Sequence, residues 1–348
     1  VAGRRLPGPP AWRATLLPLT PLYWGAVRLR AALYRHAVLR QVRLGAPVVS
    51  VGNLTFGGTG KTPTVLALVR DLVRRGRHPA VLTRGYGRTH AGAPLVLVGP
   101  EPEVGAAEAG DEPVEMARRL PGVPVVVDRL RSRGGVEALR RGADVLVLDD
   151  GFQHLPLDRN LDLVLLDAGD PWGGGHLPPL GRLREPPSAL RRADAVLLTK
   201  VPEEGSAAVD AIRRRVARLA PGLPVLEARL EVRRVRTPAG ALTPQALAGR
   251  RVLPFAGVGR PAAFSELLAG CGAEVSQPRW FPDHHRYTPG DLDGVLEAAH
   301  RLDAVPVTTG KDAVKLPPDA PVWVVEVEMT PRSGSWDELW ALRPGLLE

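Results

Sequence analysis

Hydrophobic positions along the chain follow two rhythms. From residue 47, short runs rich in Val and Leu recur at 47–52, 79–83, 123–127, 144–149, 162–167 and 194–199. Between several of them lie longer segments with apolar residues three and four apart, for instance 61–75, 112–120 and 131–141. Near-continuous apolar strands alternating with amphipathic helices predict a parallel, doubly wound sheet covered on both faces. The segment 226–242 changes character. Apolar and charged residues alternate there and then meet a Pro-Ala-Gly turn, the pattern of a hairpin-like linker. After residue 250 the first rhythm returns, with strands near 251–256, 304–308 and 321–328 and helices over 261–270 and 289–301. The expected class is α/β: a larger unit at 47–225, a β-linker at 226–249 and a smaller α/β domain at 250–348.

Residues 1–46 stand apart. Leu22, Ala26, Leu29, Leu33 and Ala37 recur at spacings that put them on one helical face, with Trp12, Tyr23, Trp24 and Tyr34 among them and Arg28 and Arg35 on another side. Such a basic amphipathic helix suits the headgroup region of an anionic bilayer. It equally suits packing on the protein's own core with the arginines in water. A signal peptide is a third reading, weakened by Pro18, Pro21 and Arg28 inside the apolar stretch. The chain opens at Val1 and not at Met, consistent with a trimmed N-terminus.

Charge sharpens this division. Of the net +9, residues 1–44 contribute eight arginines (Arg4, Arg5, Arg13, Arg28, Arg30, Arg35, Arg40, Arg43) and no acid, leaving 38 basic against 37 acidic side chains elsewhere. Because the excess sits in an apolar leader and not in a polar patch, nucleic acid is not an expected partner. The 348 residues suffice for two domains, and an apolar fraction of 44% argues against wholesale disorder. A single cysteine, Cys271, excludes an internal disulfide framework and a multi-cysteine metal site, and fits a reducing compartment. No run of about 18 uninterrupted apolar residues exists, so a simple transmembrane helix is not expected.

The strongest chemical signal is residues 51–63, V-G-N-L-T-F-G-G-T-G-K-T-P. A strand ends, a Gly-rich loop follows and Lys61-Thr62 open a helix. In that order backbone N–H groups of Gly57, Gly58, Thr59 and Gly60 can close around phosphate oxygens, with Lys61 on the β- and γ-phosphates, Thr62 on magnesium and Pro63 in the first turn. Thr55 stands where G-x-x-x-x-G-K-[ST] has its first glycine. A second signal, A-D-V-L-V-L-D-D-G-F-Q-H over 143–154, ends an apolar strand on Asp149 and Asp150. In P-loop proteins a carboxylate at that place holds magnesium; adjacent acids also commonly cap the next helix. Asp111 and Glu112 precede Pro113, where ordinary N-capping competes with any functional role. In F-P-D-H-H-R-Y, 281–287, adjacent histidines make a poor metal pair, and one His bonded to a carboxylate across a cleft is the more natural use. The arginines of 83–88 and 175–186 suit anion contacts or solvent, and T-T-G-K-D-A-V-K-L, 308–316, follows a strand and reads as a turn with solvated charges.

Taken in order, V-G-N…G-K-T-P, T-R-G-Y-G, G-D-E-P, D-D-G-F-Q-H, L-R-E-P, D-H-H and T-x-K-D-A-V-K resemble the tetraacyldisaccharide 4'-kinase family over roughly 12–316. The resemblance implies two α/β/α domains joined by a β-linker, with the site in the cleft between them. It also implies transfer of the ATP γ-phosphate to the 4'-hydroxyl of tetraacyldisaccharide 1-phosphate, a step of lipid A biosynthesis, with ATP and Mg2+ as cofactors. Carried over by motif, Asp111 is the general base oriented by His284, and Thr62, Glu112, Asp149 and Asp150 organise magnesium. Arg184 and Arg131 then stabilise transferring or substrate phosphate. A monomer docked peripherally on the cytoplasmic face of the bacterial inner membrane, on an anionic lipid surface, is expected. One departure is Gly310, where T-E-K-D is the expected form.

Two other readings compete. A P-loop switch GTPase or ATPase is weakly suggested by Thr199-Lys200 at a strand end, although Val201-Pro202 lacks the aspartate of a guanine-specificity motif. A peripheral membrane protein that merely binds nucleotide would use the same loop and transfer nothing.

Overall fold

A computed structural model describes residues 19–85, 92–99, 102, 104–201 and 207–348. The readings that fall on Trp12, Pro18, Arg4, Arg5, Arg13, Pro202 and residues 86–88 lie outside the described residues.

The first unit is built from β1 (Val48–Asn53), β2 (Pro79–Thr83), β3 (Leu95–Leu97), β4 (Val125–Val127), β5 (Val145–Asp149), β6 (Leu161–Asp167) and β7 (Ala195–Thr199). Its helices are α1 (Leu19–Arg35), α2 (Lys61–Arg74), α3 (Ala106–Ala109), α4 (Asp111–Arg119), α5 (Arg131–Arg140) and α6 (Ala207–Leu219). The strands run β7-β6-β1-β5-β2-β4-β3, parallel except for the edge pair β3–β4. Both faces are buried because alternate residues feed two cores. Val49, Val51, Val145 and Val147 meet α2 and α4 on one side, while Val48, Leu146 and Leu148 meet Ala138 of α5 on the other. That is why these strands read as continuous apolar runs.

A long strand, β8 (Val225–Thr237), ties this unit to the next. Its start pairs parallel with β7, and the rest pairs antiparallel with a later strand, β14 (Trp323–Pro331). β8 turns back through Pro238 and Ala239 into β9 (Gly240–Leu242), so the hairpin forms as expected. The remaining elements are β10 (Arg251–Ala256), α7 (Pro261–Gly270), β11 (Glu274–Val275), β12 (Arg279–Trp280), α8 (Pro289–Arg301), β13 (Val305–Thr309), α9 (Gly310–Ala313) and α10 (Asp337–Trp340). The sheet continues as β8-β14-β13-β10-β11.

Two expectations need correction. Residues 332–348 do not pack with the smaller unit. Trp336, Leu339, Trp340 and Leu346 join the core around α2, and Trp340 Nε1 donates to buried Asp71 Oδ2 at 2.7 Å. A tryptophan pair four residues apart gives that segment an apolar face too large to leave in water. In α1 the foreseen apolar face is not packed on the core: Leu22 is 72% and Leu29 61% exposed, and Ala37 lies past the helix end with φ 56°. Contacts to the body come instead from Thr20, Tyr23 and Arg30. Among the described residues no helix is long and apolar enough to cross a membrane.

Candidate active site

The phosphate loop spans the end of β1 to the start of α2. Asn53 Nδ2 donates to Thr55 O at 2.8 Å and to Thr59 Oγ1 at 3.0 Å, which pins both ends of the loop from beneath. Gly60 is left-handed at φ 91°, a conformation that strains any L side chain, and a Cβ there would also press on Met329 Cε at 2.6 Å, so the position favours glycine. Thr55, by contrast, sits in an antiparallel bridge with Leu183, an extended conformation that makes no demand for glycine. Gly57 and Gly58 are exposed on the outer side of the loop. No side chain caps the first turn of α2, where Lys61, Thr62 and Pro63 are half-buried, so its N–H groups and positive dipole end face outward to an anion. Lys61 Nζ is held between Asn53 Oδ1 at 3.3 Å and Asp150 Oδ1 at 3.4 Å.

β5 runs beside β1 and delivers two carboxylates to the same edge. Asp149 is 3% exposed; Thr83 Oγ1 donates to its Oδ2 at 3.1 Å, and Oδ1 is buried with no hydrogen-bond partner. Burial, then the charges of Glu112 and Asp150, push this carboxyl up to about 7 against the pull of Lys61. Asp150 adopts φ 54°, a costly backbone for a non-glycine residue, and both its oxygens accept from Arg184 Nη1 at 2.7 and 2.8 Å. Burial opposes its ionisation, but Lys61 and Arg184 outweigh it and hold the carboxyl below the usual range. Buried Arg131 opens α5 close enough to sense both aspartates, although burial drives its own pKa down. Thr62, Asp149, Asp150 and Glu112 are hard oxygen donors of the kind Mg2+ takes, and the orphaned Asp149 oxygen fits a cation. Among the described residues no cluster of three His, Cys, Asp or Glu forms a ready-made cage. Mg2+ sites completed by substrate phosphates do not need one.

The second unit faces this edge with a different set of groups. Asp111, at the start of α4, meets His284 Nδ1 through Oδ2 at 3.2 Å, across 173 residues of sequence. His284 has φ 60°, and its backbone N–H donates to Asp283 Oδ1 at 3.1 Å. Lys311 Nζ donates to that same oxygen at 2.8 Å and lies 3.4 Å from His284 Nε2. Burial disfavours the Lys311 charge, but the bond and charge of Asp283, then Glu112 and Asp312, raise its pKa overall. Lys315 Nζ is 3.9 Å from Asp111 Oδ2 and 2.7 Å from Asp312 Oδ1.

The solvated turn expected at 308–316 is therefore wrong. Asp312 is fully buried, accepting from Thr309 Oγ1 at 2.8 Å and from the Gly257 N–H at 3.2 Å, and its contacts fold the segment into α9 against α4. Gly310 opens α9 against α4. A Cβ there would stand 2.7 Å from Glu115 Oε1, so an acid from the first unit occupies the space beside a glycine where the motif was expected to carry its own. Glu115 pairs with Arg119, whose guanidinium is 3% exposed and also donates to Val327 O in β14.

Thus Lys61, Asp150 and Arg184 are joined by direct contacts, Asp149 is tied to Lys61 and Asp150 by charge, and Asp111 joins His284. Glu112 enters by charge, since Asp149 and Lys311 both sense it. Sequence reasoning did not single out Asn53, Gln153, Lys311 or Lys315. Gln153 links Asn53 O at 2.9 Å to Arg184 at 3.3 Å. Thr199 and Lys200 reach the loop carbonyls of Thr59 and Gly58 at 2.9 and 2.8 Å, which is structural use of what suggested a guanine motif. Each lay inside a noted motif, but nothing in the spacing told which side chain turned inward. α1 borders the site: Tyr23 OH donates to Arg184 O at 3.0 Å and Arg30 Nη1 to Gln153 O at 3.3 Å.

Comparison with known proteins agrees with this geometry. The family model described as LpxK, tetraacyldisaccharide-1-P 4'-kinase, matches residues 12–342. A tetraacyldisaccharide 4'-kinase of Anaeromyxobacter sp. (strain Fw109-5) is 46% identical, over 90% of this chain and 85% of its own length. That of Anaeromyxobacter dehalogenans (strain 2CP-C) is 50% identical, over 88% and 82%. The crystal structure of LpxK from Aquifex aeolicus in complex with ATP superposes with a TM-score of 0.78 at 32% identity, covering 97% of this chain and 100% of that one. The chain belongs to the tetraacyldisaccharide-1-phosphate 4'-kinase family.

Proposed function

We propose that the cleft binds ATP on the Gly57–Pro63 loop and transfers its γ-phosphate to the 4'-hydroxyl of a tetraacyldisaccharide 1-phosphate in lipid A biosynthesis, with Asp111 as the base. The observation that carries the reading is the meeting of Asp111 and His284 across the two units, beside a P-loop lysine and a paired carboxylate edge. Thr62, Asp149, Asp150 and Glu112 would hold Mg2+, which supplies charge neutralisation at the β- and γ-phosphates. Lys61 and the α2 N-terminus bind and orient those phosphates. Asp111 takes the hydroxyl proton as the sugar oxygen bonds to the γ-phosphorus and the bond to the β-phosphate oxygen breaks, releasing ADP. Base assistance of this kind is typically worth about 10²–10⁴-fold. Arg184 and Arg131 stabilise charge on the transferring phosphoryl group.

Three parts complete the reading: a nucleotide-binding domain at 47–225, a linker at 226–249, and a smaller domain from 250 whose end segment returns to the first. The protein works as a monomer on the cytoplasmic face of the inner membrane, with no nucleic-acid partner. Leu22, Trp24 and Leu29 stand exposed on α1, and Arg28 packs over Trp24 at 4.4 Å, an apolar and basic face suited to anionic headgroups. The test is a mixed-micelle assay with γ-labelled ATP, Mg2+ and tetraacyldisaccharide 1-phosphate. Label should pass to the lipid and fail to do so in Lys61→Ala. Nucleotide hydrolysis without labelled lipid would replace the kinase with the switch reading.

A further inference from the structure

The loop carrying Gly310, Lys311 and Lys315 has so far been given no part in the reaction. We propose that Lys311 is a positioning residue that fixes the tautomer of His284, so that Nδ1 carries the hydrogen and donates it to Asp111. This rests on the Asp111–His284 reading above.

The argument is one of donor and acceptor counting. An ammonium group has three donors and no acceptor. Lys311 Nζ stands 3.4 Å from His284 Nε2, and that approach is favourable only if Nε2 presents its lone pair. A neutral imidazole with a lone pair on Nε2 carries its hydrogen on Nδ1, the atom 3.2 Å from Asp111 Oδ2. The opposite tautomer would set an N–H against the ammonium and a lone pair against the carboxylate, two unfavourable contacts in place of two favourable ones. Asp283 Oδ1, the nearest carboxylate oxygen given for Nε2, is 3.9 Å away, beyond hydrogen-bond reach, and already accepts from Lys311 at 2.8 Å and the His284 N–H at 3.1 Å.

Asp283 thus acts as a bracket that seats both the lysine and the histidine backbone. Buried Asp312, next in sequence, anchors α9 from below through Thr309 and the Gly257 N–H, so the lysine is delivered by a fixed element. The consequence concerns Asp111. Its Oδ2 receives a donor from His284, which orients the carboxylate and leaves its remaining lone pairs to accept the hydroxyl proton. Asp111 and not His284 is then the proton's destination, because Lys311 already occupies the far ring nitrogen.

The experiment combines spectroscopy and kinetics on the full chain. Protein labelled with 15N in histidine is compared with Lys311→Met and Lys311→Arg, the His284 signals being identified by their loss in His284→Gln. In the parent protein His284 should show a protonated Nδ1 and an unprotonated Nε2. Lys311→Met should shift it toward the other tautomer and lower kcat about 10- to 100-fold, with KM for ATP changed less than about threefold. Lys311→Arg, also a pure donor, should restore the tautomer and part of kcat. A parent spectrum with Nε2 protonated, or an unchanged tautomer in Lys311→Met, overturns the assignment. If Lys311→Met shifts the tautomer while it and His284→Gln both keep full turnover, control of the tautomer stands and the dyad reading falls.

Discussion

The two sides of the cleft are built on opposite plans. On the β1–β5 edge the phosphate loop is backed by the sheet: Asn53 is inaccessible, Asp149 is 3% exposed, and the loop is pinned by Thr199 and Lys200 from behind. On the other side the His284 side chain is 41% exposed and held by single contacts from a bracket of charges. Phosphate binding needs donors that do not move, because electrostatic stabilisation is strong only when preorganised. In the proposed reaction the base is complete only when the second unit is in place, which would restrain ATP hydrolysis in an open cleft. One side is therefore a fixed cradle and the other a conditional part.

The sharpest way to break this comparison is to damage each side separately. Lys61→Ala strips the cradle of its phosphate lysine, and turnover should fall by about 10³-fold or more with the fold intact, since Arg184 still pairs Asp150. Circular dichroism and the micelle assay read both. Asp111→Asn and His284→Ala should each cut kcat by about 10²–10³-fold while leaving ATP affinity near its original value, and the double variant should cost little more than Asp111→Asn alone. Fully additive losses would mean that the two residues do not act as a unit. The conditional plan also predicts that basal ATPase rises on adding lipid; equal rates with and without it would remove that idea.

A smaller effect tests how the second side is held. Gly310→Ala places a methyl 2.7 Å from Glu115 Oε1, at the seam where buried Arg119 crosses from α4 to β14. Forcing atoms into a packed seam costs about 1–3 kcal/mol. The loss should appear as a lower thermal midpoint and as a kcat decrease, with ATP affinity spared. Loss of ATP affinity with unchanged kcat would place the seam's influence on the wrong side.

Most of the cradle was legible because its parts are contiguous. A strand, a glycine-rich loop and a helix start lie within 51–63, and the aspartate pair ends a second apolar run, so local pattern and chemistry coincide. The other side was not legible in that way. Asp111 and His284 were joined only through resemblance to a family, and Lys311 and Lys315 looked like solvated charges because nothing local shows that buried Asp312 folds α9 against α4. The helix α6 and the short strand β3 were not singled out either, although β3 is apolar throughout and α6 buries Val209, Ile212 and Val216. The return of Trp336 and Trp340 to α2 is likewise a tertiary fact, although two tryptophans four apart were a signal that the chain end had a core to fill.

The smallest expected effect concerns a cationic wall beside the cradle. Burial pushes the His154 imidazole down to about 4, and Arg131, Arg159, Arg30 and Arg84 add to the shift in that order. A base whose folded pKa lies below its unfolded value of 6.5 is neutral in the native state, and the unfolded chain binds the extra proton between those two values. Its contribution to stability is therefore fully present above about pH 6.5 and is lost as pH falls toward 4. With water reaching part of the ring, the loss is discounted to on the order of 1 kcal/mol. Thermal midpoints measured from pH 7.5 to 5 should fall more steeply for the parent than for His154→Gln, whose amide does not titrate. Parallel slopes would show that neither burial nor the neighbouring arginines hold this imidazole neutral in the native state, and the wall would then carry no pH-dependent part of the stability.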